Sequence, residues 1–258
     1  MAAAPHAFTR ALCRRPGPEV ARGLTTADLG APDHARTVSQ HDAYVTALRD
    51  CGLDVTVLDA LPGHPDAHFV EDTAVITPRV AIVTRPGHPD RQGEEETIAA
   101  ALVDCGRPLE RITAPGTVDG GDVLQVGDHV FIGVSSRTNA AGADQLAEIL
   151  AAHGHASTTV PVAEGLHFKS SVNEVGDALL VTADFADRPV LQEYPLLVVP
   201  RGEEYAGNTL RINGTLITPE GYPGTRALLE GLGLRVVELD TSEFRRMDGG
   251  LTCLSLRF

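Results

Sequence analysis

Polar residues capable of chemistry recur along the chain at intervals of about 40 to 48 positions, a period typical of repeat architectures. They are Glu71-Asp72, Asp119, His167, Asn208 and Asp248, and the last opens the stretch Asp-Gly-Gly-Leu-Thr-Cys that ends at Cys253. Each has an ordinary explanation when taken alone. Cysteines are commonly buried as small hydrophobes, a lone loop histidine is commonly structural, and Asp-Gly pairs commonly make turns. Together, a cysteine, a histidine and a carboxylate on different repeat units are the parts needed for thiol nucleophilic catalysis: a thiolate, a general acid/base and an orienting acid. Two further clusters accompany them. "HPDAHFVEDTAVI" crowds Asp66, Phe69, Glu71 and Asp72 ahead of a strand-like run, and three carboxylates so close are costly to bury unless a cation neutralises them. A solvated acidic loop accounts for the same residues. "TVDGGDVLQVG" sets Asp119 before two glycines and Asp122 after them, which suits a tight turn or a close backbone approach.

The elements that must position these residues follow one plan. Amphipathic stretches place Tyr44, Val45 and Leu48, then Ile98, Leu102 and Cys105, then Leu146, Ile149, Leu150 and His153 at helical spacing. With "TRALLEGLG", these stretches end at Gly52, Gly106, Gly154 and Gly233, where the left-handed cap conformation favours glycine. Between them lie strand pairs, "TAVITPRVAIVT", "DVLQVGDHVFIG", "NEVGDALLVTA" and "NTLRINGTLITP". Each turns at mid-length, at Pro78, Gly127-Asp128, Gly176-Asp177 or Asn213-Gly214, as hairpins do. The terminal "GGLTCLSLRF" supplies one strand only, whose partner must come from elsewhere, the N-terminus being the candidate. Alternation along it puts Leu254, Leu256 and Phe258 on one face and Cys253, Ser255 and Arg257 on a more polar one. The expectation is a single domain over residues 1–258: an α/β propeller of five units with every polar opener near one axis.

Composition narrows the functional classes. The 258 residues are 43% hydrophobic and 22% charged, with 21 basic against 35 acidic side chains and a formal net charge of −14. Such a field repels phosphate backbones and is compatible with drawing in a small cation. No run approaches the roughly 18 apolar residues of a membrane span, and the first residues lack the order of a secretory signal. A cytoplasmic protein is expected, with neither nucleic acid nor membrane as a partner, and a monomer or homodimer. Cys13, Cys51, Cys105 and Cys253 are too far apart for C-x-x-C metal or redox chemistry.

"FVEDTAV", "DGGDVLQVG", "FIGVSSRTN", "PVAEGLHFKS" and "DGGLTCLSL", in order across most of the chain, resemble the dimethylarginine dimethylaminohydrolase family. That family belongs to the pentein group of guanidino-modifying enzymes, five-bladed α/β propellers. The resemblance implies Cys253 as nucleophile, His167 as general acid/base and Asp119 as the acid paired with it. It implies Glu71 and Asp72 near the guanidino group, with Phe69 beside them, and Asp66 at the substrate's α-amino group. Arg91 and Arg137 would clamp the α-carboxylate, and Leu24 would contribute a lid-region carbonyl. His68 departs from the pattern, standing where the family has an apolar residue. No metal or organic cofactor is implied.

The implied reaction converts dimethylarginine, and monomethylarginine, to citrulline and the amine through a thiouronium on Cys253. Arginine deiminases resemble this family but carry an acid two positions after the catalytic histidine, where this chain has Lys169. That difference favours N-methylated substrates. A related hydrolase acting on arginine, citrulline or another guanidino or ureido compound is the alternative, followed by a non-catalytic methylarginine-binding propeller.

Overall fold

The computed structural model describes residues 7–103, 105–163 and 167–258. Residues 164–166 of "PVAEGLHFKS" lie outside the described residues. Five three-stranded sheets repeat one topology, in which two antiparallel strands are followed by a crossover to a third, parallel strand. In one unit, β1 (Arg10–Arg14) leads through α1 (His34–Asp50) to β2 (Asp54–Leu58). The next has β3 (Ala74–Ile76), β4 (Ala81–Val83), α2 (Glu94–Leu102) and β5 (Leu109–Arg111). The third has β6 (Val123–Val126), β7 (His129–Val134), α3 (Ala140–Ala152) and β8 (Ala156–Pro161). The fourth has β9 (Val172–Glu174), β10 (Leu179–Val181), α4 (Ala183–Ala186) and β11 (Leu196–Val198). The fifth has β12 (Leu210–Ile212), β13 (Thr215–Pro219), α5 (Pro223–Glu230) and β14 (Arg235–Leu239). A short helix, α6 (Ser242–Arg245), then leads back to β15 (Leu256–Arg257).

β15 pairs antiparallel with β1, Ala11 opposite Arg257, so the chain's two ends complete one sheet. The strand missing from the terminal run is therefore β1, as expected. The four hairpins form at the predicted turns. The four helix-ending glycines have φ between 72° and 90°, a region an L side chain enters only under strain. Tyr44, Leu48, Ile98, Leu102, Leu146 and Leu150 are buried. Each such side chain contributes about 1.5–3 kcal/mol when fully removed from water, and together they seat the helices on their sheets.

One expectation changes, and the fourth unit departs from the common plan. Its crossover has only the four-residue α4 and a 3-10 turn at Pro189–Leu191; Pro189 lacks an N–H and cannot continue a helix. The terminal run is not a strand from Gly249 onward. Thr252–Leu254 is a 3-10 turn, and the paired strand is confined to Leu256–Arg257. Strand alternation therefore does not explain the exposure of Cys253. Ser255 is fully buried and bonded to the Tyr44 hydroxyl at 2.6 Å, and Arg257 is paired with the buried Glu71.

Candidate active site

Every unit enters its first strand through a 3-10 turn. These turns are Val70–Thr73, Gly120–Asp122, Phe168–Ser170, Glu204–Gly207 and Thr252–Leu254. The first touches both the second and the last, the second touches the third, and the third touches the fourth. Asn208 joins the fourth to the fifth: its Oδ1 accepts the Thr252 N–H at 3.0 Å, and its Nδ2 donates to Thr252 Oγ1 at 3.1 Å. The turns thus form a ring. Asp72 and Cys253 lie within their turns, while Asp119 and His167 immediately precede theirs. This ring is what gathers residues nearly 50 positions apart.

Over the ring lies a cavity of about 780 Å³, within the size range of small-molecule sites. Leu24, Asp66, Phe69, Asp72, Arg91, Arg137, His167 and Cys253 line it. Asp119 is fully buried behind the imidazole, where Oδ2 accepts from His167 Nε2 at 3.1 Å and Oδ1 from the Gly87 N–H at 2.8 Å. The paired acid expected for the histidine is in place.

The remaining predicted contacts are arranged less simply. Arg91 is buried and committed: Nη1 donates to Asp72 Oδ2 at 2.5 Å and Nη2 to Glu94 Oε2 at 2.7 Å, with the Phe69 carbonyl at 3.0 Å. Arg137 is the freer cation, its Nη1 3.8 Å from Asp119 Oδ2 and its side chain 29% exposed. Leu24 reaches Asp66 through its N–H, 3.0 and 3.2 Å from the two carboxylate oxygens, rather than through its carbonyl. Glu71 does not line the cavity. Its Oε1 accepts from Lys169 Nζ at 2.7 Å and Arg257 Nη2 at 2.8 Å. His68 is 1% exposed, stacks on Phe69 with centroids 4.0 Å apart, and has no hydrogen-bond partner at either nitrogen among the described residues. Burial, with His41 and Arg91 nearby, lowers its pKa to about 3. At neutral pH it is an uncharged aromatic ring, which fills an apolar position.

Asp122 was visible in the D-G-G-D motif, but only as a turn residue. It is fully buried and accepts from Ser135 Oγ at 2.6 Å, Thr138 Oγ1 at 2.7 Å and the Phe168 N–H at 2.9 Å. It therefore holds the turn that presents His167. No sequence pattern identified Thr138 or Ser135 as its partners.

Electrostatics assign resting protonation states. Burial would lower the His167 pKa, but Asp72, the Asp119 hydrogen bond and Asp122 outweigh it and raise it to about 10. Burial pushes the Cys253 thiol up to about 12, and Glu71 and Asp72 add to that rise. Burial likewise opposes ionisation of Asp119, yet the His167 contact, Arg91 and the Gly87 N–H hold its carboxyl below the usual range. At neutral pH the site therefore pairs an imidazolium with a neutral thiol. Alkylation of Cys253 by iodoacetamide should be slow at pH 7 and rise close to tenfold per pH unit through at least pH 9, because the reactive thiolate fraction rises that way below the pKa. Peptide mass spectrometry follows the reaction; a plateau below pH 8 would contradict the assignment. Asp72, Asp119 and His167 also bring donor atoms within 4.8 Å of one another, the arrangement among the described residues that could hold a metal ion. Arg91 already occupies Asp72, and the imidazolium would have to lose its proton first.

A model of the arginine deiminase family matches residues 92–171. The dimethylarginine dimethylaminohydrolase of Pseudomonas aeruginosa is 43% identical over 254 residues, covering 97% of this chain and 100% of that protein. The protein of the same name from Streptomyces coelicolor is 37% identical over 251 residues, covering 96% of each. A cysteine-to-serine variant of the Pseudomonas aeruginosa enzyme complexed with citrulline superposes with a TM-score of 0.95 at 42% identity, covering 98% of this chain and 100% of that one. The N-terminal domain of ArgZ, an arginine dihydrolase bound to product, shares the fold at 19% identity and a TM-score of 0.87. Full-length identity at this level, on a fold that brings the expected thiol and imidazole to one cavity, shows that the chain belongs to the dimethylarginine dimethylaminohydrolase family.

Proposed function

We propose that the protein hydrolyses Nω,Nω-dimethyl-L-arginine, and Nω-monomethyl-L-arginine, to L-citrulline and the corresponding amine. The observation that carries this reading is the meeting of Cys253, Asp72 and the Asp119-paired His167 at one cavity. Carboxylates flanking the thiol attract and orient a guanidinium ion. The arriving cation lowers the thiol's pKa, so the proton leaves to solvent and the thiolate forms against the substrate. The sulfur pair then forms a bond to the guanidino carbon, giving a tetrahedral adduct. The bond to the dimethylamino nitrogen breaks with its electron pair on nitrogen, which takes the proton of His167. Neutral His167 next removes a proton from water as the water oxygen bonds to the thiouronium carbon. The C–S bond breaks with its pair on sulfur, the hydroxyl proton passes to the departing thiolate, and citrulline leaves. In this scheme Asp66 holds the α-amino group and Arg137 the α-carboxylate. Arg91, bonded to Asp72 and to the Phe69 carbonyl, holds the carboxylate that faces the guanidino group, and Leu24 and Phe69 close over the substrate.

Lys169, standing where an arginine deiminase has an acid, leaves no carboxylate at that position to grip two unsubstituted N–H groups, which supports the preference for methylated substrates. A panel of asymmetric dimethylarginine, monomethylarginine and arginine, scored by citrulline release, tests it. Dimethylamine release exceeding ammonia release from arginine supports the assignment; the reverse order overturns it. Four unpaired cysteines support a reducing, cytoplasmic setting. No helix among the described residues is long and apolar enough to cross a membrane. Sedimentation decides between the monomer and the homodimer.

The turn that delivers the thiol is sensitive to a single methyl group. A Cβ on Gly250 would lie 2.5 Å from Asn208 Cγ and Oδ1, atoms fixed by Thr252 on the other side. Gly250→Ala is expected to lower kcat by about 10²-fold, since ångström-scale misplacement of a nucleophile costs that much. Steady-state kinetics on the folded variant checks it, and near-normal kcat would show that the ring has slack.

A further inference from the structure

Glu71 is 2% exposed, and one of its oxygens binds two cations from different parts of the ring. Lys169 lies two residues after His167, inside the turn that His167 opens. Arg257 lies four residues after Cys253. Its Nη1 donates to the Thr252 carbonyl at 3.0 Å, the Ser255 carbonyl at 2.6 Å and Ser255 Oγ at 3.0 Å. That guanidinium therefore grips the backbone on both sides of the nucleophile. The Lys169 carbonyl in turn accepts from Asn208 Nδ2 at 3.0 Å, and Asn208 binds Thr252. Glu71, Lys169 and Arg257 all line a separate cavity of about 140 Å³ on the far side of the ring, away from the catalytic pocket.

We propose that Lys169, Glu71 and Arg257 form a buried clamp that sets the register of the Cys253 turn against the His167 turn, making Glu71 and Arg257 positioning residues for the thiol–imidazole pair. The proposal rests on the reading of Cys253 and His167 as the reacting groups. It reassigns Glu71 from the guanidino contact that the resemblance implies, because Glu71 does not line the catalytic cavity and its Oε1 is held by Lys169 and Arg257. A buried ion cluster is a poor source of stability, since desolvation offsets most of its attraction, but it is directional and intolerant of slippage. Those properties suit a device that fixes geometry. Three charges in one place also act as a unit, so removing either partner of the carboxylate should release the same constraint.

The test reads the geometry first without any substrate. Iodoacetate is an anion and iodoacetamide is neutral, so the ratio of their rates at Cys253 reports the cation beside the thiol. In Arg257→Met the ratio should fall by about threefold or more, and in a His167→Ala background the same substitution should leave it unchanged. An unchanged ratio in the His167-containing enzyme overturns the clamp, as does an equal fall in both backgrounds. Kinetics then separates positioning from substrate contact. Arg257→Met and Glu71→Gln should each lower kcat by about 30-fold or more, and the double variant should lose less than about threefold beyond either single one. Dimethylarginine affinity, measured calorimetrically on a Cys253→Ser background, should change less than about threefold with Glu71→Gln. A tenfold loss of that affinity makes Glu71 a substrate contact, and additive kcat losses make the residues independent; either result overturns the proposal. Arg257→Lys, which keeps the charge, should recover part of the ratio and of kcat where Arg257→Met folds poorly; no recovery counts against the clamp. If dimethylarginine does not bind the Cys253→Ser enzyme at all, the functional reading fails while the alkylation ratio still decides the clamp.

Discussion

Replacing Cys253 with serine is expected to reduce citrulline formation from dimethylarginine by at least about 10⁴-fold while leaving substrate affinity within about threefold. The substitution changes one atom in a half-buried position of the Thr252–Leu254 turn. That turn is held by its backbone: the Cys253 N–H donates to the Gly250 carbonyl at 3.2 Å, and Asn208 and Arg257 hold the Thr252 peptide. None of these bonds uses the sulfur, so the cavity keeps its shape and its carboxylates. A hydroxyl, however, is a far weaker acid than a thiol. The substrate cation that ionises Cys253 cannot ionise serine to a useful extent near neutral pH. Citrulline assays and calorimetry measure the two halves of the expectation. Residual turnover above about 1% would exclude a covalent route through this residue.

His167→Ala is expected to lower kcat for dimethylarginine by about 10³-fold and to leave a covalent adduct on Cys253 visible by mass spectrometry. The amine must receive a proton to depart, and the raised pKa keeps His167 protonated across the physiological range. The same group, once neutral, is the base for water attack, so both half-reactions suffer. S-methyl-L-thiocitrulline separates them, because its thiolate leaves without a proton. The variant should form an adduct from it far more readily than from dimethylarginine, and hydrolyse that adduct slowly. The pH dependence provides the second check. Wild-type kcat/KM should fall as His167 loses its proton, near pH 10, because the acid form is the one required for amine departure. The variant should lack that alkaline limb. Equal losses on the two substrates, or a limb that persists, would move the acid role to another group.

Much of the fold was legible because its signals are local. Glycine stops after Leu48, Leu102 and Leu150, and turn residues at Asn213-Gly214 and Gly127-Asp128, reflect backbone conformations that few other residues accept. Pro189 marks the break in the fourth crossover just as locally, although the helical pattern there was simply not found. The spacing of Asp119, His167 and Cys253 indicated a ring because a repeated unit puts equivalent residues at equivalent places. The terminal stretch was misread for the same reason that made the repeats readable: alternation is a strand signal, whereas the Asp-Gly-Gly turn diverts the chain into a 3-10 turn. Asp248 enters that turn at a φ of 57°.

Other features exist only between distant segments. Asp122 reads as a turn residue until Ser135, Thr138 and the Phe168 N–H close around it. Glu71 and Asp72 are adjacent carboxylates of similar acidity, yet one faces the catalytic cavity and the other binds Lys169 and Arg257 beneath it. That Cys253, His167 and Asp119 stand at equivalent places of a repeated unit was determined by the sequence alone, because residue type and spacing are local properties. Which carboxylate lines the cavity, and that the thiol rests neutral beside an imidazolium, were decided by the tertiary structure, because Coulomb interactions and desolvation depend on what lies within a few ångströms.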